Sequence, residues 1–301
     1  MTQIVGIVCK ESVGPSSRDA IFIACESQYT IGGTKVTDAQ KLSIIRFNDR
    51  NEALVAQAGS VIMSSRAVRY MAEIAKDQPL DSEFAVARIA EEAVARVRAE
   101  IIQMMQPRGY SIDEQQQLFC DDNHYFALMI GHFYEVPNNL GFKTGNPRLW
   151  TITLHTPMAE QAFPYAVIGS GSNLARFHLS KLELDKIKWE LGMPLAIHVI
   201  EQVKGNDIYC DGDIKVGVSE INKCWFYTEN LINKVAKEVK RIQANLNSKY
   251  KNELVATINT IAEQNKKEIE EMLKTEEKEE NETRELTRRT NPLTVGVKKS
   301  K

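Results

Sequence analysis

Met1-Thr2-Gln3-Ile4-Val5-Gly6-Ile7-Val8-Cys9 opens the chain, and its reading decides the fold. Ile4, Val5, Ile7 and Val8 are apolar and β-branched, so the stretch predicts a strand. The residue after Met1 is small, and removal of the initiator methionine would make Thr2 the N-terminus. Thr2 would then carry a hydroxyl and a free amine on one residue. Such an amine can serve as the base that activates the hydroxyl, with no histidine required.

Working outward, Ala20 to Cys25 is a second apolar run, and Ser12-Val13-Gly14-Pro15-Ser16-Ser17 between the two is rich in turn formers. A strand pair follows from this. Gly32-Gly33 breaks the chain before Lys41-Leu42-Ser43-Ile44-Ile45-Arg46-Phe47, and Glu52 to Gln57 leads into Ala58-Gly59-Ser60. The first sixty residues are therefore expected to be mainly antiparallel strands. Residues 64–76 place Ala67, Val68, Met71 and Ile74 at helical spacing, and residues 81–105 repeat the pattern with Phe84, Ile89, Val94, Val97 and Ile101. Asp81 or Ser82 is a candidate cap for the second helix, and Pro107 with Gly109 ends it.

Strands return at residues 125–131 and 149–154, with a polar loop holding Pro137 and Gly141 between them. Residues 164–169 form a strand that turns at Gly169-Ser170-Gly171-Ser172 into a helix over residues 173–184. A glycine-serine turn at a helix N-terminus can cradle phosphate. The lysine and hydroxyl pair of a phosphate loop is missing, so the stretch is taken as a tight strand-to-helix turn. A short apolar helix spans 194–203, and residues 214–221 alternate and close the sheet region. This order of elements predicts an α+β fold with helices packed over sheets, not a parallel βαβ series.

Three segments are expected: 1–226, 227–274 and 275–301. In the second, Leu231, Val235, Val239, Ile242 and Leu246 begin an apolar stripe whose mean step exceeds the 3.5 of a left-handed coiled coil. That predicts one long helix lying on the protein body or on a neighbouring subunit. Residues 275–289 are dominated by charge and predict a linker. Asn291 to Val297 is an apolar island at the extreme end.

With 301 residues, 43% hydrophobic and 26% charged, the composition is that of a soluble globular protein. A net charge of -2 argues against a nucleic-acid binder. Cys9, Cys25, Cys120, Cys210 and Cys224 are scattered without C-x-x-C spacing, which fits buried free thiols in a reducing cytoplasm better than a disulfide framework or zinc site. No leader and no membrane-length apolar run is present, so a cytoplasmic location without a membrane partner is expected. The five histidines lack H-E-x-x-H spacing, and neither a catalytic metal nor another cofactor is expected.

Several stretches, in order, resemble the proteasome β-subunit family, including the bacterial proteasome-like peptidases that partner a ring unfoldase. They are Thr2-Gln3-Ile4-Val5-Gly6-Ile7, Ala24-Cys25-Glu26-Ser27-Gln28, Ile31-Gly32-Gly33-Thr34, Asp38-Ala39-Gln40-Lys41-Leu42 and Ala58-Gly59-Ser60. Ala166-Val167-Ile168-Gly169-Ser170-Gly171-Ser172 and Asp207-Ile208-Tyr209-Cys210-Asp211-Gly212 follow in the second half. The resemblance covers about residues 2–221 and rests on order and spacing.

It implies a four-layer αββα sandwich of N-terminal nucleophile hydrolase type, with the long C-terminal helix added. It also implies a threonine endopeptidase that acts on polypeptides and assembles as a homo-oligomeric ring. Thr2 would be the nucleophile, its α-amine the proton acceptor, and Lys41 a cation close to both. Glu26 stands where the family usually has an aspartate that holds the lysine. The Gly59 N–H matches the oxyanion donor. Ser170, Asp207 and Cys210 match a supporting cluster, with Cys210 in place of serine. Glutamate adds a methylene, the Glu26 to Lys41 interval is about one residue short of the family's, and a thiol is a poor hydrogen-bonding group. These departures keep open an alternative, a non-catalytic structural or adaptor subunit of the same fold. Finally, Leu293-Thr294-Val295-Gly296-Val297-Lys298-Lys299 resembles the C-terminal peptides that load cargo into encapsulin shells, which implies a shell partner and residence inside an encapsulin compartment.

Overall fold

The computed structural model describes residues 3–10, 19–27, 29–31, 34–36, 40–47, 51–78, 82–105, 111, 113–114, 117, 119, 124–137, 143–182, 187–207, 210, 212–221 and 223–249. Strand β1 (Gln3–Cys9) is antiparallel to β2 (Ala20–Glu26), and all residues of both are buried. Their near-continuous apolar sequences follow from that, because each strand has cover on both faces. Ile4 and Val8 of β1 and Ile21 and Ile23 of β2 meet the second sheet. Val5, Ile7, Phe22 and Ala24 face helices.

A short hairpin of β3 (Tyr29–Ile31) and β4 (Thr34–Val36) follows. The second sheet contains β5 (Leu42–Phe47), β6 (Asn51–Gly59), β7 (Phe126–Pro137), β8 (Lys143–Thr153) and β9 (Glu160–Ala162), in that order and antiparallel throughout. The first sheet runs β10-β1-β2-β11-β12, where β10 is Tyr165–Gly169, β11 Ile214–Glu220 and β12 Lys223–Phe226.

Helices α1 (Val61–Asp77) and α2 (Ala85–Met105) bury Met71, Val86 and Val97 in one cluster with Phe47, Leu128 and Trp150 of the second sheet. Helices α3 (Ser172–Leu179) and α4 (Trp189–Lys204) do the same with Ala175, Ile197 and Ile200 against Val5 and Phe22 of the first. Between the sheets lies a third cluster with Ile4, Ile23, Leu54, Met129 and Leu149. The sheets approach closely at Gly6, where a Cβ would stand 2.6 Å from Met129 Sδ. The α+β fold expected from the sequence is the one found.

Four details depart from the sequence reading. The expected polar loop at Pro137 is strand: β7 and β8 form one long hairpin, paired from Ala127↔Thr153 to Pro137↔Lys143. Pro137, Gly145 and Pro147 lie in it, and in sequence such residues signal a loop. β12 was not expected, being only four residues on a sheet edge. Helix α4 begins at Trp189 instead of Pro194. The missing proline N–H deprives only the carbonyl of Glu190, an exposed residue that water can serve. Helix α3 stops at Leu179, where the Ser180 N–H closes onto Arg176 O at 2.8 Å.

The chain divides into two compact units, Met1–Lys240 and Arg241–Lys301. The described part of the C-terminal helix, α5, covers residues 229–249, and Ile232 and Ala236 join the cluster around α3 and α4. The remainder of the expected long helix, the charged linker and Leu293 to Val297 lie outside the described residues. Among the described residues, no helix is long and apolar enough to cross a membrane.

One buried group makes stability depend on pH. His132 lies inside the second sheet, where its Nε2 accepts the Trp150 indole N–H at 3.1 Å, and burial pushes its pKa down to about 4. A lowered folded-state pKa means that the unfolded chain binds the proton first as pH falls. Stability is therefore expected to be full above about pH 6.5 and to decline from there to about pH 4. A shift of this size corresponds to a loss on the order of 3 kcal/mol. Urea titrations of wild type and His132→Gln at pH 7.5 and 4.5 check this, with a smaller loss expected in the variant.

Candidate active site

The site is assembled where the two sheets end together. Glu26 is the last residue of β2 and sits opposite Ile214 of β11. Its Oε1 accepts the backbone N–H of Gln3, at the start of β1, at 3.1 Å. The same oxygen accepts from Lys41 Nζ at 2.7 Å. Both side chains of the ion pair are fully buried. Lys41 precedes β5, so the contact joins the end of one sheet to the end of the other. β6 fixes the backbone there from the side: Gln57 N–H donates to Lys41 O at 3.0 Å, and Gln57 Nε2 donates to Gln40 O at 2.9 Å.

Burial lowers the Lys41 pKa, and the attraction of Glu26 opposes that shift. A buried ion pair contributes little net stability, since the cost of desolvating both charges offsets their attraction. Strongly perturbed groups held by a specific charge partner mark functional candidates.

A second group adjoins the first. Gly169 at the end of β10 pairs with Gln3, which places Ser170 next to the start of β1. After α4 the chain turns: Asp207 N–H bonds Val203 O at 2.8 Å and Cys210 N–H bonds Asp207 O at 3.0 Å. Asp207 Oδ2 then accepts from Ser170 Oγ and from Cys210 Sγ, each at 3.4 Å, and Ser170 Oγ stands 3.9 Å from Cys210 Sγ. The serine contact is longer than an ordinary O–H···O bond. Burial, and next the Asp207 charge, push the Cys210 thiol up to about 12, so it stays protonated near neutral pH. Glu26 also acts on Cys210, and Cys210 on Lys41. The two groups thus share one electrostatic environment.

Gly59 ends β6, two residues beyond Gln57. Its φ of 89° is left-handed, and a Cβ would lie 2.4 Å from Tyr125 O and 2.8 Å from Phe126 Cα. Only glycine fits both demands. Beside the ion pair, a cleft of about 310 Å³ is lined by Gln40, Leu42, Asp213, Lys215, Phe226 and Tyr227 among others. Ser170, Asp207 and Cys210 are not part of its lining.

Of the residues singled out from sequence, Glu26 and Lys41 meet directly, and Ser170, Asp207 and Cys210 meet one another. Gly59 lies on the strand that flanks Lys41. Thr2 lies outside the described residues. Cys9, Cys25, Cys210 and Cys224 are buried free thiols, as expected. Cys120 lies outside the described residues. Sequence reasoning overlooked Gln3 and Gln57, both buried polar residues. A polar side chain at the head of an otherwise apolar strand was the available signal for Gln3.

Two antiparallel sheets enclosing one core, with helices on their other faces and a buried lysine-carboxylate pair at the sheet ends, define the class of structure. No family model matches the sequence, and no curated protein matches it. Solved structures do. A Gly-1 mutant of Anbu from Hyphomicrobium sp. strain MC1 is similar with a TM-score of 0.60 and 13% identity, covering 83% of this chain and 100% of that one. Anbu, described as an ancestral β-subunit, from Yersinia bercovieri is similar with a TM-score of 0.58 and 14% identity, covering 82% and 97%. Another structure of the Hyphomicrobium protein gives 0.55, 13%, 82% and 97%. At this identity the likeness is one of fold.

Proposed function

We propose that the chain is a proteasome-like N-terminal threonine hydrolase, built as a four-layer αββα sandwich, that cleaves peptide bonds with Thr2 after removal of Met1. The observation that carries the reading is Glu26 Oε1, which holds Lys41 Nζ at 2.7 Å and Gln3 N–H at 3.1 Å. That N–H belongs to the peptide bond joining Thr2 to Gln3, so the carboxylate oxygen that holds the lysine also holds the amide bonded to the proposed nucleophile.

In this mechanism the Thr2 α-amine takes the hydroxyl proton as Oγ attacks the carbonyl carbon of the substrate peptide. The Lys41 ammonium favours the developing alkoxide. The Gly59 N–H donates to the oxyanion. Collapse expels the amine product, which receives the proton held by the α-amine. Water, deprotonated by the same amine, then releases the acyl group from Thr2. Ser170, Asp207 and Cys210 hold the surroundings of that amine. The chain is read as a subunit of a homo-oligomeric ring, with a ring ATPase unfoldase as a candidate partner.

Turnover of fluorogenic peptides by protein lacking Met1, with none by Thr2→Ala, tests the reading. Absence of turnover across a broad peptide set would favour the second reading, a non-catalytic subunit of the same fold. Cys210 is the observation in that reading's favour, since its thiol, which meets Asp207 Oδ2 at 3.4 Å and Ser170 Oγ at 3.9 Å, is a weak hydrogen-bonding group. Cys210→Ser is expected to raise kcat about two- to tenfold, the value of a better hydrogen bond, as read from peptide turnover. Encapsulation rests on Leu293 to Val297 alone. Deleting residues 291–301 is expected to abolish co-purification with a shell protein while leaving peptide turnover intact.

A further inference from the structure

The cleft beside the ion pair draws its lining from three places in the fold. Asp213 and Lys215 come from the beginning of β11, and Gln40 and Leu42 from the beginning of β5. Phe226, Tyr227 and Glu229 come from the passage of β12 into α5. Tyr227 is fixed there: its N–H donates to Val216 O at 3.0 Å, and its ring stacks on Phe22, with centroids 6.4 Å apart and planes 6° apart. Phe226 is 45% exposed, so apolar surface is left for a ligand to cover.

Size and charge define what fits. At about 310 Å³ the cleft is at the lower end of small-molecule sites, about 300–1,000 Å³, so it takes a small ligand and not a folded partner. Its charges are of both signs, the Asp213 and Glu229 carboxylates and the Lys215 ammonium. Among the described residues none of the three is in an ion pair. The Ser27 N–H donates to Asp213 O at 2.8 Å and continues the β2–β11 ladder by one residue, so the Asp213 and Lys215 side chains leave the same face. A simple anion would meet two carboxylates there, and a simple cation would meet the ammonium. A zwitterion with an apolar body satisfies both signs and covers Phe226. The cleft also adjoins the backbone that holds the Glu26–Lys41 pair. Gln40 and Leu42 flank Lys41, and Ile214, which lines the cleft as well, is the cross-strand partner of Glu26. Both charges of the pair are fully buried, so a ligand in the cleft acts on their frame without displacing either.

We propose that this cleft binds a short peptide with free termini and that its occupancy regulates the Glu26–Lys41 site. The peptide ammonium lies at Asp213 and Glu229, its carboxylate at Lys215, and an apolar side chain against Phe226 and Tyr227. Such peptides are what hydrolysis of a polypeptide releases. Binding rests on the cleft's shape and charge, whereas its effect on turnover rests on the threonine-hydrolase reading.

Binding is measured by calorimetry on the full chain carrying Thr2→Ala, with leucyl-phenylalanine as the probe beside its N-acetylated and its C-amidated forms. Each capped form is expected to bind about two- to fivefold more weakly than the free dipeptide. Lys215→Met is expected to erase the preference over the amide and to keep the preference over the acetylated form. Asp213→Asn combined with Glu229→Gln is expected to do the reverse. Absence of binding, equal binding of free and capped forms, or preferences that survive both sets of changes overturns the proposal.

With Thr2 intact, saturating dipeptide is expected to change kcat for a longer fluorogenic peptide by about twofold or more, with KM unchanged. An unchanged kcat, with or without a rise in KM, overturns the regulatory role. If wild type shows no turnover at all, the hydrolase reading fails, and the calorimetry still decides the site.

Discussion

Lys41→Met is expected to lower peptide turnover by about 10²- to 10³-fold, the range for loss of one positioned group that stabilises developing charge. The same change is expected to destabilise the fold by about 3–5 kcal/mol, because the fully buried Glu26 carboxylate loses the charge that compensates it. The two effects separate in a second protein. Glu26→Gln combined with Lys41→Met removes both charges, and a glutamine oxygen can still accept the Gln3 N–H. Most of the stability is expected to return, since a buried ion pair adds little over neutral residues of similar size. Turnover is not expected to return. Urea denaturation with peptide turnover, measured on wild type, the single variant and the pair, reads both quantities. Recovery of activity in the pair would show that Lys41 serves packing alone.

Gly59→Ala is expected to be nearly as damaging, by a route that involves no charge. A φ of 89° costs an L-residue about 1–2 kcal/mol. The added Cβ meets Tyr125 O at 2.4 Å and Phe126 Cα at 2.8 Å. Both are backbone atoms of the strand start that pairs with Gly59, so neither yields without opening the β6–β7 ladder. A combined loss of about 3 kcal/mol or more follows, with turnover falling in the fraction that remains folded. Gly205→Ala serves as the control. Its φ is -69° and its nearest contacts are at 3.6 and 3.7 Å, so a small gain of about 0.4–1 kcal/mol is expected there. Thermal denaturation of the two variants distinguishes a local backbone demand from a general intolerance of change at glycine.

The parts of this fold legible in the sequence were those with strong local signals. β1 and β2 announced themselves as apolar β-branched runs, and α1 and α2 by their 3.6-residue spacing. Elements whose stability comes from neighbours were harder. β12 is four residues long, and the outer half of the β7–β8 hairpin carries Pro137, Gly145 and Pro147, so neither shows a clean strand pattern. Pro194 marked a helix start by rule, yet α4 runs through it because only one exposed carbonyl goes unserved. In the candidate site, Glu26, Lys41, Ser170, Asp207 and Cys210 were named through resemblance, not through spacing. They are distant in sequence and meet only because strand ends of both sheets and the turn after α4 come together. Gln3 and Gln57 escaped notice because their roles depend on burial and on the backbone beside them, which sequence does not display.

The central claim is that the buried Glu26–Lys41 pair serves a nucleophilic Thr2. Its most direct test is mass spectrometry of the purified protein before and after treatment with a peptide epoxyketone, an electrophile that reacts with a hydroxyl and an amine on the same residue. The account predicts a chain lacking Met1, one adduct per chain localised to Thr2, and no adduct in the Glu26→Gln, Lys41→Met pair. Retention of Met1, or a processed wild-type chain that remains unlabelled, would contradict it.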